Sequence, residues 1–231
     1  IVTYHSDIVR QKFLRHIYRP LEARFLNKAK LIVCTSPRYL ETSENLKRWR
    51  EKTVIVNLGL SDKFAGQSAA ITSKELRGII NKRFFLFLGT LRKYKGIDVL
   101  LAAARKIDVQ IVIAGGGKVE TYKNYVSKNN IKNVVFLGQV SDVVKRNLLD
   151  KCYGLILPSN SRNEAFGLVQ LEAAMRCKPL ISTEIGTGTS FVNEHENTGL
   201  VVKPNDSEAL SNAIEFLMLH PVLAKKMDKR L

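Results

Sequence analysis

The stretch "RFFLFLGTLRKYKGIDVLLAAARKIDVQIVIAGGG" (residues 83–117) decides the fold class. An apolar run without polar alternation stops at a glycine, a helical pattern follows over about residues 95–106, and a second apolar run ends in three glycines. Unalternating strands of this kind are buried on both faces, as parallel strands between two helix layers are. The unit recurs. "NVVFLGQV" (133–140), "YGLILPS" (153–159) and "PLISTEIG" (179–186) read as strands, helices fall at about 118–129, 142–151 and 166–176, and "DSEALSNAIEFLMLH" makes a later one. Strand and helix alternating in this way define an α/β chain with a parallel sheet, and residues 83–231 read as one complete doubly wound domain. Upstream, "IVTYH" (1–5), "KLIVCTS" (30–36) and "TVIVNLGL" (53–60) read as strands with helices between them, so residues 1–60 look like the closing part of another domain. Pro20 is expected at the first turn of a second helix, because an interior proline forfeits a backbone bond. Residues 61–82 lack a strong period and read as a linker.

Composition bounds the function. The chain has 231 residues, 45% hydrophobic and 25% charged, which suits a folded globular protein with a sizeable core. No apolar run approaches the roughly 20 residues that a membrane span needs. The chain starts at Ile1 rather than Met and reads as part of something longer. Cys34, Cys152 and Cys177 are odd in number and lack CxxC spacing, so buried structural thiols in a reducing compartment are expected. His5, His16, His195 and His220 form no ligand-spaced pair, and no metal site is expected. With 37 Lys plus Arg against 21 Asp plus Glu, the formal charge is +16, which attracts polyanions of any kind. Residues 8–30 concentrate it: Arg10, Lys12, Arg15, Arg19, Arg24, Lys28 and Lys30 face a single acid, Glu22. Phe13, Leu14, Ile17, Tyr18, Leu21 and Phe25 recur there at helical spacing, predicting a packed stripe opposite a basic one. That basic face is either merely solvated or touches an anionic membrane surface.

In an open parallel sheet, ligands bind beyond the carboxyl ends of the strands. "GGGK" (115–118) ends one strand yet fails both the dinucleotide and the P-loop patterns, and is either a tight turn or a loop that a ligand's atoms approach closely. "GTLRKYKG" (89–96) places Arg92 and Lys95 where two cations can converge on a pyrophosphate, although an exposed basic turn explains it alone. "PSNSRNEAFGLVQLE" (158–172) is more informative. Gly167 permits close backbone approach, and the free N–H groups of a helix start around Phe166 to Leu168 favour an anion. Glu164 precedes that helix and Glu172 lies along it, an arrangement that suits an elongated ligand better than two acids sharing one face.

Together, "HSD", "GTLRKYKG", "IAGGG", "FLGQVSD", "PSNSRNEAFGLVQLEA" and "KPLIS" resemble the retaining group-1 glycosyltransferases of the GT-B fold, with a looser similarity to lipopolysaccharide and O-antigen sugar transferases. The resemblance implies two Rossmann-like domains, here the complete nucleotide-sugar-binding one (83–231) and the C-terminal part of the acceptor-side one (1–60). It implies that Glu164 lies by the donor sugar and reacting centre, and that Glu172 accepts hydrogen bonds from the ribose. Phe166, Gly167 and Leu168 then face the diphosphate and Lys95 binds it. The family arginine after the strand glycine is missing, since Thr90 stands there, and Arg92 is the candidate substitute. Gly115 and Gly117 match the nucleotide-side loop, Val140 the position whose backbone reads the base, and His5 the histidine reaching the sugar from the other domain; a structural strand-end histidine is the competing reading of His5.

The implied reaction is metal-independent hexosyl transfer, with retention, from a nucleotide-diphosphate sugar to a glycan or lipid-linked acceptor, with no cofactor. A GDP-sugar is favoured over a UDP-sugar. The implied location is cytoplasmic, at the inner face of the membrane, in cell-surface polysaccharide synthesis. A nucleotide-sugar-binding fragment without transfer activity is the alternative. Nucleic acid is not an expected partner, because the aromatic-basic interleaving of RNA-binding modules is missing.

Overall fold

The computed structural model describes residues 1–7, 12–61 and 78–227, with the side chains of residues 12–16 left aside. Two parallel sheets organise it. Strands β1 (Val2–Tyr4), β2 (Ile32–Cys34) and β3 (Thr53–Ile55) form a small sheet in the order β1-β2-β3. The larger sheet has six parallel strands: β4 (Phe84–Leu88), β5 (Gln110–Ala114), β6 (Val134–Gly138), β7 (Gly154–Leu157), β8 (Leu180–Thr183) and β9 (Gly199–Val202). Their order is β6-β5-β4-β7-β8-β9, so the chain winds outward to β6, returns beside β4 and winds outward again. The reversal between β4 and β7 opens a crevice at the strands' carboxyl ends, the place where doubly wound sheets bind ligands.

Alternate residues of each strand point to opposite faces, and both faces are covered. Phe85, Phe87, Ile111 and Ile113 pack against α3 (Ile97–Ala104) and α8 (Ser207–Leu219). Phe84, Leu86, Leu88 and Val112 pack against α5 (Asp142–Lys151), α6 (Leu168–Ala174) and α7 (Thr189–Val192). Helix α4 (Val119–Lys128) lays Val119, Tyr122 and Val126 on the first of these cores, and α9 (Pro221–Met227) closes it with Ala224 and Met227. The complete burial of β4 explains its lack of polar alternation.

The small sheet carries α1 (Lys12–Lys28) and α2 (Pro37–Thr42). Ser36 caps α2, accepting the Tyr39 N–H at 3.1 Å, with proline in the first turn. Three expectations need correction here. Pro20 lies inside α1 rather than at the start of a second helix; it sits on the exposed side, where solvent can take the carbonyl that proline leaves unpaired. The stripe through Ile17, Tyr18, Leu21 and Phe25 is exposed, not packed, because α1 turns Ala23 and Leu26 to the core instead. Cys177 is exposed while Cys34 and Cys152 are buried; it takes a left-handed conformation (φ 51°) just past α6. Phe13 and Leu14, and most of the expected linker, fall outside the described side chains and residues.

Candidate donor-binding site

A cavity of about 690 Å³ crosses the carboxyl ends of β4, β5 and β6 and the loop after β7. Strand spacing of about 4.8 Å puts its β6 and β7 ends roughly 14 Å apart. Gly89 and Thr90 enter it after β4, Gly115 to Gly117 after β5, Gln139 and Val140 after β6, and Asn163 to Val169 after β7. His5, just past β1, lines the same cavity from the other sheet.

Two glycines permit this convergence. Gly115 has φ 150°, and a Cβ there would stand 1.9 Å from the Gly89 carbonyl oxygen, so the loops after β4 and β5 meet backbone to backbone. Gly167 has φ 77°, and a Cβ would stand 2.8 Å from both Leu157 Cδ2 and Gln170 Nε2. That left-handed residue turns the chain into α6 without a side-chain cap; the Gln170 N–H donates to the Gly167 carbonyl at 2.8 Å, and the amides that open the helix before it lie ahead of any intrahelical acceptor.

Charge is arranged as two lysine–glutamate pairs. Toward β4 and β7, Lys95 Nζ contacts Glu164 Oε2, and Ser159 donates to the same oxygen at 3.2 Å. Where α5 meets α6, Lys145 Nζ donates to Glu172 Oε1 at 2.7 Å. The side chains of both pairs are 11–21% exposed, dry enough for the attraction to matter yet open to the cavity. The backbone behind Glu164 is also fixed: Thr187 donates to its carbonyl at 2.7 Å, and its N–H donates to the Ser161 carbonyl at 3.0 Å.

His5, Lys95, Gly115, Gly117, Val140, Glu164, Phe166, Gly167, Leu168 and Glu172 thus line one cavity. Arg92 does not. It sits in extended backbone ahead of the single 3₁₀ turn Lys93–Lys95 and lines an adjoining groove with Lys93, Lys118 and Tyr122. Lys145, Gln139, Tyr94 and Asn163 also line the cavity, and no motif in the sequence singles them out. Lys145 is one basic residue among 37, and only its place on α5 opposite Glu172 distinguishes it. Among the described residues no group of three or more His, Cys, Asp or Glu could hold a metal ion, and no helix is long and apolar enough to cross a membrane.

The chain belongs to the group 1 glycosyltransferases: residues 72–231 match the family described as glycosyl transferases group 1. It is 44% identical over 231 residues to the D-rhamnosyltransferase WbpZ of Pseudomonas aeruginosa, covering 99% of this chain and 60% of that protein. It is 43% identical over 218 residues to the O-antigen chain mannosyltransferase C of Escherichia coli, covering 94% and 58%. The chain therefore spans about three fifths of the length of these curated relatives. Among solved structures, sucrose-phosphate synthase from Thermosynechococcus elongatus aligns with a TM-score of 0.81 at 25% identity over 99% of this chain and 61% of that one. Anabaena HepE, solved in complex with UDP, aligns at 0.84 and 19% identity over 99% and 65%. The two parallel sheets facing one cavity are the GT-B arrangement.

Proposed function

We propose that this chain carries the donor site of a retaining glycosyltransferase that moves a hexosyl unit from a nucleotide-diphosphate sugar to an acceptor hydroxyl. One observation carries the reading: one cavity at the ends of four strands, lined by two Lys–Glu pairs and by a helix start without a side-chain cap between the two glutamates. Toward β6, Glu172 accepts from the ribose hydroxyls and the backbone near Val140 meets the base. In the middle, Lys95 and the amides at Phe166 to Leu168 receive the diphosphate. Toward β7, Glu164 and His5 take the sugar. Binding of the diphosphate draws Lys95 toward phosphate and frees Glu164 to accept from sugar hydroxyls.

In the reaction, the bond between the anomeric carbon and the phosphate oxygen breaks and its electron pair stays on the diphosphate. The acceptor oxygen bonds to the same carbon on the same face, and its proton passes to the departing phosphate oxygen. Lys95 and the amides oppose the charge that builds on the diphosphate, supplying electrostatic stabilisation from the chain itself. Glu164 and Glu172 belong to opposite ends of the ligand, so they do not flank one bond as the acids of a retaining glycosidase do. The relatives named for rhamnosyl and mannosyl transfer and for the O-antigen chain support a GDP-sugar donor and a glycan acceptor in surface-polysaccharide assembly. Residues 83–231 then form the donor domain, 1–60 part of the acceptor domain and 61–82 the linker between them, with α1 at an anionic membrane surface.

A thermal-shift comparison of GDP, UDP, dTDP and ADP tests the reading, because a ligand that binds only the native state raises its midpoint. GDP is expected to raise it most. Glu172→Ala should weaken nucleoside diphosphate binding about tenfold, the loss of roughly 1.4 kcal/mol of charge-assisted hydrogen bonding, while Glu164→Gln should leave that binding nearly intact and reduce turnover. No shift with any nucleotide, or equal and negligible effects of the two substitutions, would overturn it.

A further inference from the structure

The loop that carries Glu164 does not pack only on its own sheet. Its Ala165 joins the core of the small sheet, beside Tyr4, Cys34 and Tyr39. Two residues before Glu164, Arg162 crosses to the same sheet: Nε donates to Asp7 Oδ2 at 3.0 Å, and Nη2 lies 3.0 Å from that oxygen. Nη1 donates to Thr42 Oγ1 at 2.7 Å and to the Gly186 carbonyl, and the guanidinium lies 4.7 Å from the centre of the Tyr39 ring. Asp7 is held in turn, because its Oδ1 accepts from Ser43 at 2.8 Å and from Tyr4 at 3.0 Å, and its N–H donates to the Tyr39 hydroxyl. The side chains of Arg162 and Asp7 are 23% and 12% exposed. The parallel contact Arg38–Glu184 at 3.3 Å is 44% and 41% exposed and adds little.

Asp7 stands two residues after His5, and Arg162 two residues before Glu164. One planar fork thus links the two segments whose next-but-one residues, His5 and Glu164, line the same cavity. Arginine suits this task because its five donors are fixed in one plane, so each partner's position constrains the others. We infer that Arg162 is a positioning residue: through Asp7 it holds His5 and Glu164 in register at the sugar end of the cavity. This rests on the donor-site reading above, and it singles out the sugar end rather than the nucleotide end, where Glu172 and Lys145 make no use of the fork.

The test compares Arg162→Met, Arg162→Lys and Asp7→Asn in the full chain, with calorimetric titration of GDP and of GDP-mannose and with hydrogen exchange. GDP affinity should stay within about twofold of the parent, whereas GDP-mannose affinity should fall to that of GDP alone in Arg162→Met and recover in part in Arg162→Lys. Peptides covering residues 1–7 and 159–167 should exchange about tenfold faster in Arg162→Met and Asp7→Asn, while peptides in β5 and β8 keep the parent rate. A general structural role would instead speed exchange throughout and lower both affinities together, which overturns the inference. So would parent-like exchange in the two segments. If the parent chain binds neither GDP nor GDP-mannose, the donor reading fails for this ligand, and the exchange pattern alone still decides whether the fork couples the two segments.

Discussion

Gly115 shows how much the site depends on single atoms. A methyl group there would meet the Gly89 carbonyl 1.9 Å away, and neither partner is a side chain that can turn aside. Gly115→Ala should therefore separate the loops after β4 and β5, destabilising the fold by about 2 kcal/mol or more and weakening nucleotide binding at the same time. Urea denaturation together with nucleotide titration checks this; parent-like values of both would show that the backbone contact is unimportant. Residue chemistry was unevenly legible in the sequence. Glu164, Gly167 and Glu172 stood out because an acid before a helix, a glycine at its start and an acid along it need a reason beyond packing. Arg92 and Lys95 could not be told apart from composition, since only the short turn between them sends Lys95 into the cavity and leaves Arg92 in the adjoining groove. Lys145 and Arg162 were hidden among many basic residues, because their roles lie in partners 27 and 155 positions away.

At the scale of elements, the strands of the large sheet were readable because burial on both faces leaves a continuous apolar run, and the helices between them followed from spacing. In α1, helical periodicity identifies an apolar stripe but not whether anything covers it. Ile17, Leu21 and Phe25 are each 60–62% exposed, on a helix that also bears Arg24 and Lys28. We propose that this stripe enters the interface of an anionic bilayer while the basic side chains meet its headgroups. The chain should sediment with phosphatidylglycerol vesicles and not with phosphatidylcholine vesicles, and the double substitution Leu21→Ser, Phe25→Ser should reduce that binding about tenfold or more. Equal sedimentation of parent and variant, or binding indifferent to lipid charge, would contradict it.

The whole molecule stores several acidic side-chain protons in dry places. Burial pushes the Cys152 thiol from its ordinary 9.0 up to about 12 and moves the Tyr4 and Tyr39 hydroxyls well above their usual range. Each of these folded-state values is raised, so each group's contribution to stability is complete below the unfolded value and is lost as pH climbs toward the folded one. Stability should therefore be level with respect to these groups up to about pH 9 and decline between about pH 9 and 12. Urea midpoints across that range check the sign, and Cys152→Ala should make the decline shallower. A midpoint that rises with pH in this window would contradict the burial argument.

A crystal structure of the chain grown with GDP-mannose measures directly where a donor lies. It should place the diphosphate against Lys95 and the amides of residues 166–168, the ribose on Glu172, and the sugar between Glu164 and His5. A donor whose diphosphate sits in the groove beside Arg92, or whose sugar and base exchange ends within the cavity, would contradict the assignment.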